Sequence, residues 1–310
     1  MVTKIDLLGV PMEAGAGRRG CAMGPAAYRT AGLGEELAAL GYGVTDLGDA
    51  VPDPVDWPTT GPGNARRYAE VAGWARRLHR QARDLAGSDA LPIYMGGDHA
   101  LSLGTLTGHT ATAHAAGRRQ FVLWLDAHSD FNTPHTSPSG NMHGTPLAFA
   151  CGMDGFDDLL ASPLPARLDP RDLCILGLRS VDSKERRMLQ ATGAQAYDMR
   201  AIDETGIKGL LTPFLDRVAK ANGCLHVSLD VDFIDPEIAP AVGTTVPGGA
   251  TFREAHHVME MLHDSGLVSS LDLVELNPFL DDRGRTARLM VDLTASLFGR
   301  RVLDRPTSSY

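Results

Sequence analysis

Short apolar segments alternate with amphipathic segments along nearly the whole chain. The apolar segments are rich in β-branched and aromatic residues and show no polar alternation, as in FVLWL at residues 121–125. Such runs are typical of strands that are covered on both faces of a sheet. The predicted strands span residues 5–10, 43–47, 92–95, 121–125, 173–177, 194–197, 225–229 and 271–276.

Between most of these segments, apolar side chains recur with the period of a helix. The predicted helices span residues 25–40, 65–85, 101–116, 183–192, 208–221, 252–265 and 286–298. Alternating strands and helices predict an α/β fold, with a mostly parallel sheet between two layers of helices. We find no low-complexity tract, internal repeat or charge run that would mark a linker, so residues 1–310 are predicted to form a single domain.

Composition narrows the possible partners and compartments. The formal net charge of −9 argues against nucleic acid or an anionic membrane surface as the main partner. No apolar run is long enough to cross a membrane or to form the core of a signal peptide. The four cysteines form no CxxC pair and are expected to be free thiols in a reducing compartment, so a cytoplasmic protein is predicted.

Three acidic segments follow predicted strands. They are GGDH at residues 96–99, DAHSD at 126–130 and DVD at 230–232. In an extended chain, side chains two residues apart project to the same side, so Asp126, His128 and Asp130 can converge, as can Asp230 and Asp232. In sheets of this kind, ligands bind beyond the carboxyl ends of the strands. We therefore expect the three segments to build one site.

The residue types in these segments predict a pair of divalent metal ions. Gathered carboxylates repel one another unless cations lie between them. Oxygen and nitrogen ligands without sulfur favour Mn²⁺ over Mg²⁺ or Zn²⁺, and water activated between two ions would make the chain a two-metal hydrolase. A DxD pair alone is common in surface turns, and DAHSD alone could begin a helix. The predicted ligands are His99, Asp126, His128, Asp130, Asp230 and Asp232.

Two segments between the predicted elements are rich in turn residues. Residues 51–63 contain four prolines and are predicted to form a surface connection. Residues 131–144 (FNTPHTSPSGNMHG) directly follow DAHSD and show no regular pattern. Irregular segments of this length are uncommon within a compact domain and are often functional, so we interpret the second one as a substrate-binding loop.

The order of these motifs resembles the arginase family, within the ureohydrolases. The resemblance rests on GGDH, DAHSDFNTP, SGNMHG, SLDVDFIDP, GTTVPGG and VELNP, and it extends from the opening LLGVPMEAGAGRRGCAMGP to the last predicted helix. It implies a parallel eight-stranded sheet, two Mn²⁺ ions per subunit on the six predicted ligands, and assembly as a trimer or hexamer. The implied reaction is the hydrolysis of L-arginine to L-ornithine and urea by a metal-bridging hydroxide.

The resemblance also implies roles for residues around the metal ions. His143 would shuttle protons, and Glu275 would pair with the substrate guanidinium; these two and Asp130 are the predicted catalytic residues. Further substrate contacts are implied for the α-carboxylate at Asn132, Ser139 and Asn141, for the α-ammonium at Asp182 and Glu185, and in the active site at Thr244.

Simpler interpretations exist for several of these residues. Asp182 and Glu185 have the spacing of a capping box, which is compatible with a substrate contact. An amide-rich loop also satisfies its own backbone, Glu275 could be a cap or turn residue, and Thr244 could serve only a turn. Thr245, Pro247 and Ala100 depart from residues common in the family, which affects loop shape rather than the predicted ligands.

Other functions compatible with the motifs remain open. The nearest is the hydrolysis of another guanidino compound, as in an agmatinase or guanidinobutyrase. A catalytically silent, metal-binding oligomer is a second alternative, against which the complete set of ligands argues. A two-metal phosphoesterase is a third, but the sequence has no P-loop and no obvious arginine cluster at the predicted site.

Overall fold

A computed structural model describes residues 2–56, 61–301 and 303 of the chain. The predicted surface connection 51–63 therefore lies partly outside the described residues, because residues 57–60 belong to the part that is not described. Where it is described, this segment contains no helix or strand. The prediction of one domain over residues 1–310 stays a prediction.

One sheet of eight strands forms the centre of the protein. Its strand order is β2-β1-β3-β8-β7-β4-β5-β6, and each neighbouring pair is parallel. The mostly parallel, eight-stranded α/β sheet is thus confirmed. The strands are β1 (Lys4–Val10), β2 (Gly43–Asp49), β3 (Leu91–Gly96), β4 (Gln120–Leu125), β5 (Leu173–Leu178), β6 (Gln195–Asp198), β7 (Cys224–Asp230) and β8 (Val268–Val274).

Helices cover both faces of this sheet. They are α1 (Gly24–Thr30), α2 (Leu33–Ala39), α3 (Tyr68–Ala86), α4 (Ser102–Ala115), α5 (Pro146–Ala150), α6 (Ser183–Gln190), α7 (Met199–Lys220), α8 (Phe252–Ser265) and α9 (Arg285–Leu297). One hydrophobic core holds apolar side chains of α1, α2, α7, α8 and α9, and the other holds those of α3, α4, α5 and α6. Of the described helices, none combines the length and the apolar character needed to cross a bilayer.

Strand β4 shows how the apolar pattern builds the two cores. All six of its residues are buried. Leu123 and Leu125 pack into one core, whereas Val122 and Trp124 pack into the other. Because successive side chains of a strand point to opposite faces, a strand between two helix layers carries apolar residues at nearly every position, as β4 does after Gln120.

Two predicted helices differ from the observed ones. The segment predicted as one helix over 25–40 is broken into α1 and α2, because Gly32 adopts a left-handed backbone with φ 86°. The helix predicted at 208–221 begins earlier, at Met199, and is kinked at Gly206, which has φ 75° and ψ 153°. Both breaks occur at glycine, the residue that pays no steric cost for positive φ.

Four strands, β3, β8, β7 and β4, are neighbours in the middle of the sheet. The three acidic segments follow β3, β4 and β7, and the segment VELNP with Glu275 lies at the end of β8. The carboxyl ends of the four strands lie side by side at one edge, since all of these strands run in the same direction. The sheet order therefore brings four distant parts of the sequence together.

Candidate metal centre

The six predicted metal ligands meet at the carboxyl ends of three of these strands. Five of them form two groups in which the candidate ligand atoms lie within 4.8 Å of one another. Asp126 belongs to both groups. The first group is His99, Asp126 and Asp230, and the second is Asp126, His128 and Asp232.

In the first group, three carboxylates surround one imidazole nitrogen. His99 Nδ1 lies 3.1 Å from an oxygen of Asp126, 3.1 Å from Asp130 and 3.0 Å from Asp230. The predicted ligand Asp130 thus joins this group through its contact with His99. His99 also stacks on Trp124, with ring centroids 4.0 Å apart and ring planes 1° apart.

In the second group, His128 Nδ1 lies 3.0 Å from Asp232 Oδ2 and 3.5 Å from Asp126 Oδ1. Thr244 donates its hydroxyl to the same Asp232 oxygen over 3.0 Å. Trp124 Nε1 donates to Asp126 Oδ2 over 3.0 Å. The carboxylates of this group are therefore held in place by neighbours that carry no negative charge.

The surroundings of His99 fit a cation. Its Nδ1 is buried, and none of the described residues offers it a hydrogen bond of acceptable geometry. Its Nε2 lies 2.7 Å from Ser228 Oγ. When Nε2 donates its proton to Ser228, Nδ1 presents a lone pair toward three carboxylates, an arrangement that is repulsive unless a cation lies between them.

Burial and mutual repulsion raise the pKa of two carboxyl groups in the centre, Asp130 and Asp230. Burial and the charge of Asp126 raise the pKa of Asp130 to about 7. Burial and the charges of Asp232 and Asp126 raise the pKa of Asp230 well above its usual value. Since a bound cation favours the ionised form, metal binding here would release protons.

The ligand side chains converge for a different reason from the predicted one. We predicted alternation along extended strands, but β4 ends at Leu125, and Asp232 lies in a 3₁₀ turn, Val231–Phe233. His99 begins another such turn, His99–Leu101. Asp130 has a left-handed backbone with φ 43°. Tight turns just beyond the strands, rather than the pleat, therefore aim the side chains.

Glu275 and His143 form a pair beside the metal groups. Glu275 follows β8 in a left-handed conformation with φ 64°. Its Oε1 accepts hydrogen bonds from His143 Nδ1 over 2.9 Å and from the His99 main-chain N–H over 2.8 Å. Cys21, which the sequence did not single out for the site, places its Sγ 3.6 Å from Glu275 Oε2.

This pairing changes the acid–base character of His143. Burial lowers the pKa of His143, but the charge of Glu275 and the hydrogen bond to it outweigh burial and raise the pKa to about 9. The pKa of Glu275 is lowered in turn: burial raises it, whereas the charge of His143 and the hydrogen bond from it lower it by more. This shift favours the protonated form of His143 at neutral pH.

All predicted site residues line one cavity of about 140 Å³. The predicted substrate loop, residues 131–144, forms part of its wall and ends in a 3₁₀ turn, Met142–Gly144. Asn132 Nδ2 donates to Asp182 Oδ2 over 3.1 Å, and Thr136 donates to the Asn132 side-chain oxygen over 2.9 Å. Ser137 and Ser180 also line the cavity, and the motifs had not marked them.

The capping-box interpretation of Asp182 and Glu185 is confirmed. Glu185 Oε2 accepts the main-chain N–H of Asp182 over 3.1 Å. Its Oε1 accepts the N–H of Phe131 over 2.8 Å, which anchors the start of the substrate loop. Asp182 is exposed and Glu185 is buried, so of the two only Asp182 is readily accessible.

A three-layer α/β/α fold with a candidate metal site of histidine and aspartate side chains is typical of metal-dependent hydrolases, and the comparison with known proteins specifies the class further. The model of the Arginase family matches residues 3–299. The chain belongs to the arginase family.

Individual relatives agree with this assignment. The arginase of Agrobacterium fabrum is 56% identical over 98% of this chain and 94% of its own length. The structure of arginase from Bacillus caldovelox matches with a TM-score of 0.88 at 36% identity, over 97% of this chain and 99% of that one. Entamoeba histolytica arginase in complex with L-ornithine matches with a TM-score of 0.86 at 30% identity, over 96% of this chain and 99% of that one.

Proposed function

We propose that this protein hydrolyses L-arginine to L-ornithine and urea and depends on two Mn²⁺ ions per subunit. The observation that carries the proposal is the pair of ligand groups that share Asp126, with Glu275 beside them in the same cavity. Relatives named arginase support the substrate, since the arginase of Agrobacterium fabrum is 56% identical to this chain.

The residues present suit two divalent ions. His99, Asp230 and Asp130 would hold one ion, His128 and Asp232 the other, and Asp126 both. Four carboxylates balance the charge of two dications, and oxygen and nitrogen ligands without thiolate suit Mn²⁺. When bound, the ions would supply the nucleophile, a metal-bridging hydroxide, at neutral pH.

Glu275 would orient the substrate. A guanidinium offers two parallel N–H donors, which match the two oxygens of a carboxylate. The hydrogen bonds to Glu275 from His143 and His99 fix the position of its carboxylate. Its depressed pKa keeps it ionised at the pH at which the substrate is a cation.

His143 would deliver a proton to the leaving amine. Its Nδ1 is engaged with Glu275, so the proton to be transferred is the one at Nε2. An imidazolium with a pKa of about 9 is protonated at neutral pH and can act as a general acid. Asp130, adjacent to His99, would contribute to catalysis through the geometry of the metal centre.

The far end of arginine would be bound by the polar residues at the mouth of the cavity. Asn132, Ser139 and Asn141 would bind the α-carboxylate, and Asp182 would bind the α-ammonium. Glu185, which is buried and accepts the main-chain N–H of Asp182, would support Asp182 in this role. Thr244 would act through its hydrogen bond to Asp232. The Entamoeba relative was crystallised with L-ornithine, an α-amino acid with the same two end groups.

A comparison of three substrates tests this proposal. Urea release would be measured from L-arginine, agmatine and 4-guanidinobutyrate with Mn²⁺ supplied and after chelation. We expect arginine to be hydrolysed fastest and all activity to disappear on chelation. Equal or faster turnover of agmatine, which lacks the α-carboxylate, would contradict the substrate; turnover of 4-guanidinobutyrate above that of arginine would point to a guanidinobutyrase.

We further propose a cytoplasmic homo-oligomer, a trimer or a hexamer, formed by one domain per subunit. The family resemblance supports the assembly, and the widely spaced free cysteines support the compartment. Light scattering on the purified protein measures the subunit number, and a monomeric mass would contradict this part of the proposal.

A further inference from the structure

Arg179 lies just beyond β5, outside the set of predicted ligands and substrate contacts. Its guanidinium is half-buried and is directed at main-chain carbonyl groups rather than at a carboxylate. The carbonyl oxygens that accept from it belong to Gly177, Asp232, Phe233, Ile234 and Val246.

Most of the carbonyl groups that accept hydrogen bonds from Arg179 belong to the chain segment that follows β7. Nη2 donates to the carbonyl of Asp232 itself. Nε donates to the Val246 carbonyl over 3.0 Å, two residues after Thr244. The guanidinium thus holds both ends of the segment from Asp232 to Val246. This segment contains Thr244, which donates a hydrogen bond to the Asp232 carboxylate.

The main chain of Arg179 contacts the other half of the same metal group. Its N–H donates to the Ala127 carbonyl over 2.9 Å, between Asp126 and His128. One residue thus joins the two segments that supply the second group. A methylene at Gly249 would lie 2.6 Å from Arg179 Nη2, so the space around the guanidinium is closely fitted.

The first metal group is supported differently. His99 is held by Ser228 through Nε2 and by Glu275 through its main-chain N–H. Neither contact involves Arg179. Outside their shared ligand Asp126, the two groups are linked by one hydrogen bond, which the Asp232 N–H donates to Asp230 Oδ1 over 2.8 Å.

We propose that Arg179 is a positioning residue for the second metal ion, acting by fixing the main chain at Asp232 and at Val246. This inference rests on the proposed binuclear centre. A planar guanidinium with five N–H donors suits several carbonyl groups at once, whereas a lysine ammonium provides a point charge with three donors. Loss of the side chain should loosen Asp232 most and leave His99, which Ser228 and Glu275 hold, in place.

The test is a Mn²⁺ titration of Arg179→Met and Arg179→Lys by isothermal calorimetry, with free Mn²⁺ counted by electron paramagnetic resonance. The control is Arg118→Met. Arg118 also donates to main-chain carbonyls, those of Asn222 over 3.0 Å and Gly223 over 2.8 Å, but at the amino end of β7. Circular dichroism checks that each variant is folded, and if Arg179→Met does not fold, Arg179→Lys carries the test.

We expect the wild type and Arg118→Met to bind two ions with matching affinities. In Arg179→Met one ion should keep its affinity, while the dissociation constant of the other rises about 10–100-fold, the usual cost of losing an outer partner of a ligand. Arg179→Lys should lie between them. Unchanged affinities, or equal weakening of both ions, would overturn the inference.

Double variants identify the ion that is affected. Adding Arg179→Met to His128→Asn should leave the affinity of the remaining ion unchanged, because the same ion is already weakened. Adding it to His99→Asn should weaken the remaining ion by the same factor as in the single variant, and the reverse pattern would overturn the inference. A wild type that binds fewer than two ions would instead contradict the proposed function.

Discussion

The floor and the rim of the cavity differ in how their side chains are held. We use floor for the six predicted metal ligands and rim for Ser139, Asn141 and Asp182. The floor residues Asp126, Asp230 and Asp232 are at most 2% exposed, and their carboxylates accept main-chain N–H groups through hydrogen bonds as short as 2.6 Å. Ser139 and Asp182 at the rim are exposed.

This difference indicates that the floor serves the reaction and the rim serves the selection of the substrate. The floor is built from strand ends, so its geometry depends on the whole sheet. The rim is built from the loop 131–144 and the start of α6, whose side chains bond mainly to one another. We therefore expect floor substitutions to abolish metal binding or chemistry, and rim substitutions to change substrate affinity.

The largest effect should come from Asp126→Asn, because Asp126 belongs to both ligand groups. We expect the content of both ions to fall. We also expect kcat/KM to fall by more than about 100-fold, because loss of a residue that merely hydrogen-bonds to a metal ligand already costs up to about 100-fold. Elemental analysis and urea release would measure this. Asp172→Asn is the matched control, since Asp172 is also buried but pairs with Arg119; two retained ions in Asp126→Asn would argue against a shared ligand.

His143→Asn should lower kcat while both ions remain bound. Loss of a general acid typically costs about 10²- to 10⁴-fold. His135→Asn, an exposed position in the same loop, should leave kcat unchanged. If His143→Asn kept the wild-type kcat, the proposed proton transfer would have to be assigned to another group.

The His143–Glu275 pair links rim and floor and should make stability depend on pH. The pKa of His143 is raised from 6.5 to about 9, so the pair stabilises the folded state fully below pH 6.5, and this contribution is lost as pH rises through about 9. This shift in the pKa of His143 corresponds to a contribution on the order of 3 kcal/mol to the free energy of unfolding.

Urea denaturation of metal-free wild type and His143→Asn at pH 6 and above pH 9.5 tests this prediction. The difference in the free energy of unfolding should be large at the lower pH and small at the higher one. A difference that does not vary with pH would show that the pairing contributes little.

The smallest effect should come from the rim. Asn141→Ala should raise KM for arginine about 10-fold, the size of one lost hydrogen bond to a charged group, and should leave KM for agmatine unchanged. Steady-state kinetics with both substrates measures this, and agmatine serves as the control because it has no α-carboxylate. An equal rise for both substrates would remove Asn141 from carboxylate recognition.

The sequence was sufficient to predict most elements of the fold and the group of side chains that lie together on the floor of the cavity. Apolar runs such as residues 121–125 mark buried strands, and in a parallel sheet their carboxyl ends must meet at one edge. The break at Gly32 was missed because glycine is also tolerated inside helices at a modest cost.

Other features of the site could not be obtained from local patterns. The neighbouring order β3-β8-β7-β4 depends on pairing between distant strands. The left-handed backbones of Asp130 and Glu275 depend on the surrounding contacts rather than on residue type. Cys21 contacts Glu275 across a separation of 254 residues, and Arg179 donates to main-chain carbonyls, so neither residue leaves a motif.

Anomalous diffraction at the manganese edge, from crystals grown with Mn²⁺, tests the central claim most directly. Our account predicts two peaks of density in each subunit, one between His99 and Asp230 and one between His128 and Asp232, both in contact with Asp126. A single peak, or two peaks that do not share Asp126, would contradict it.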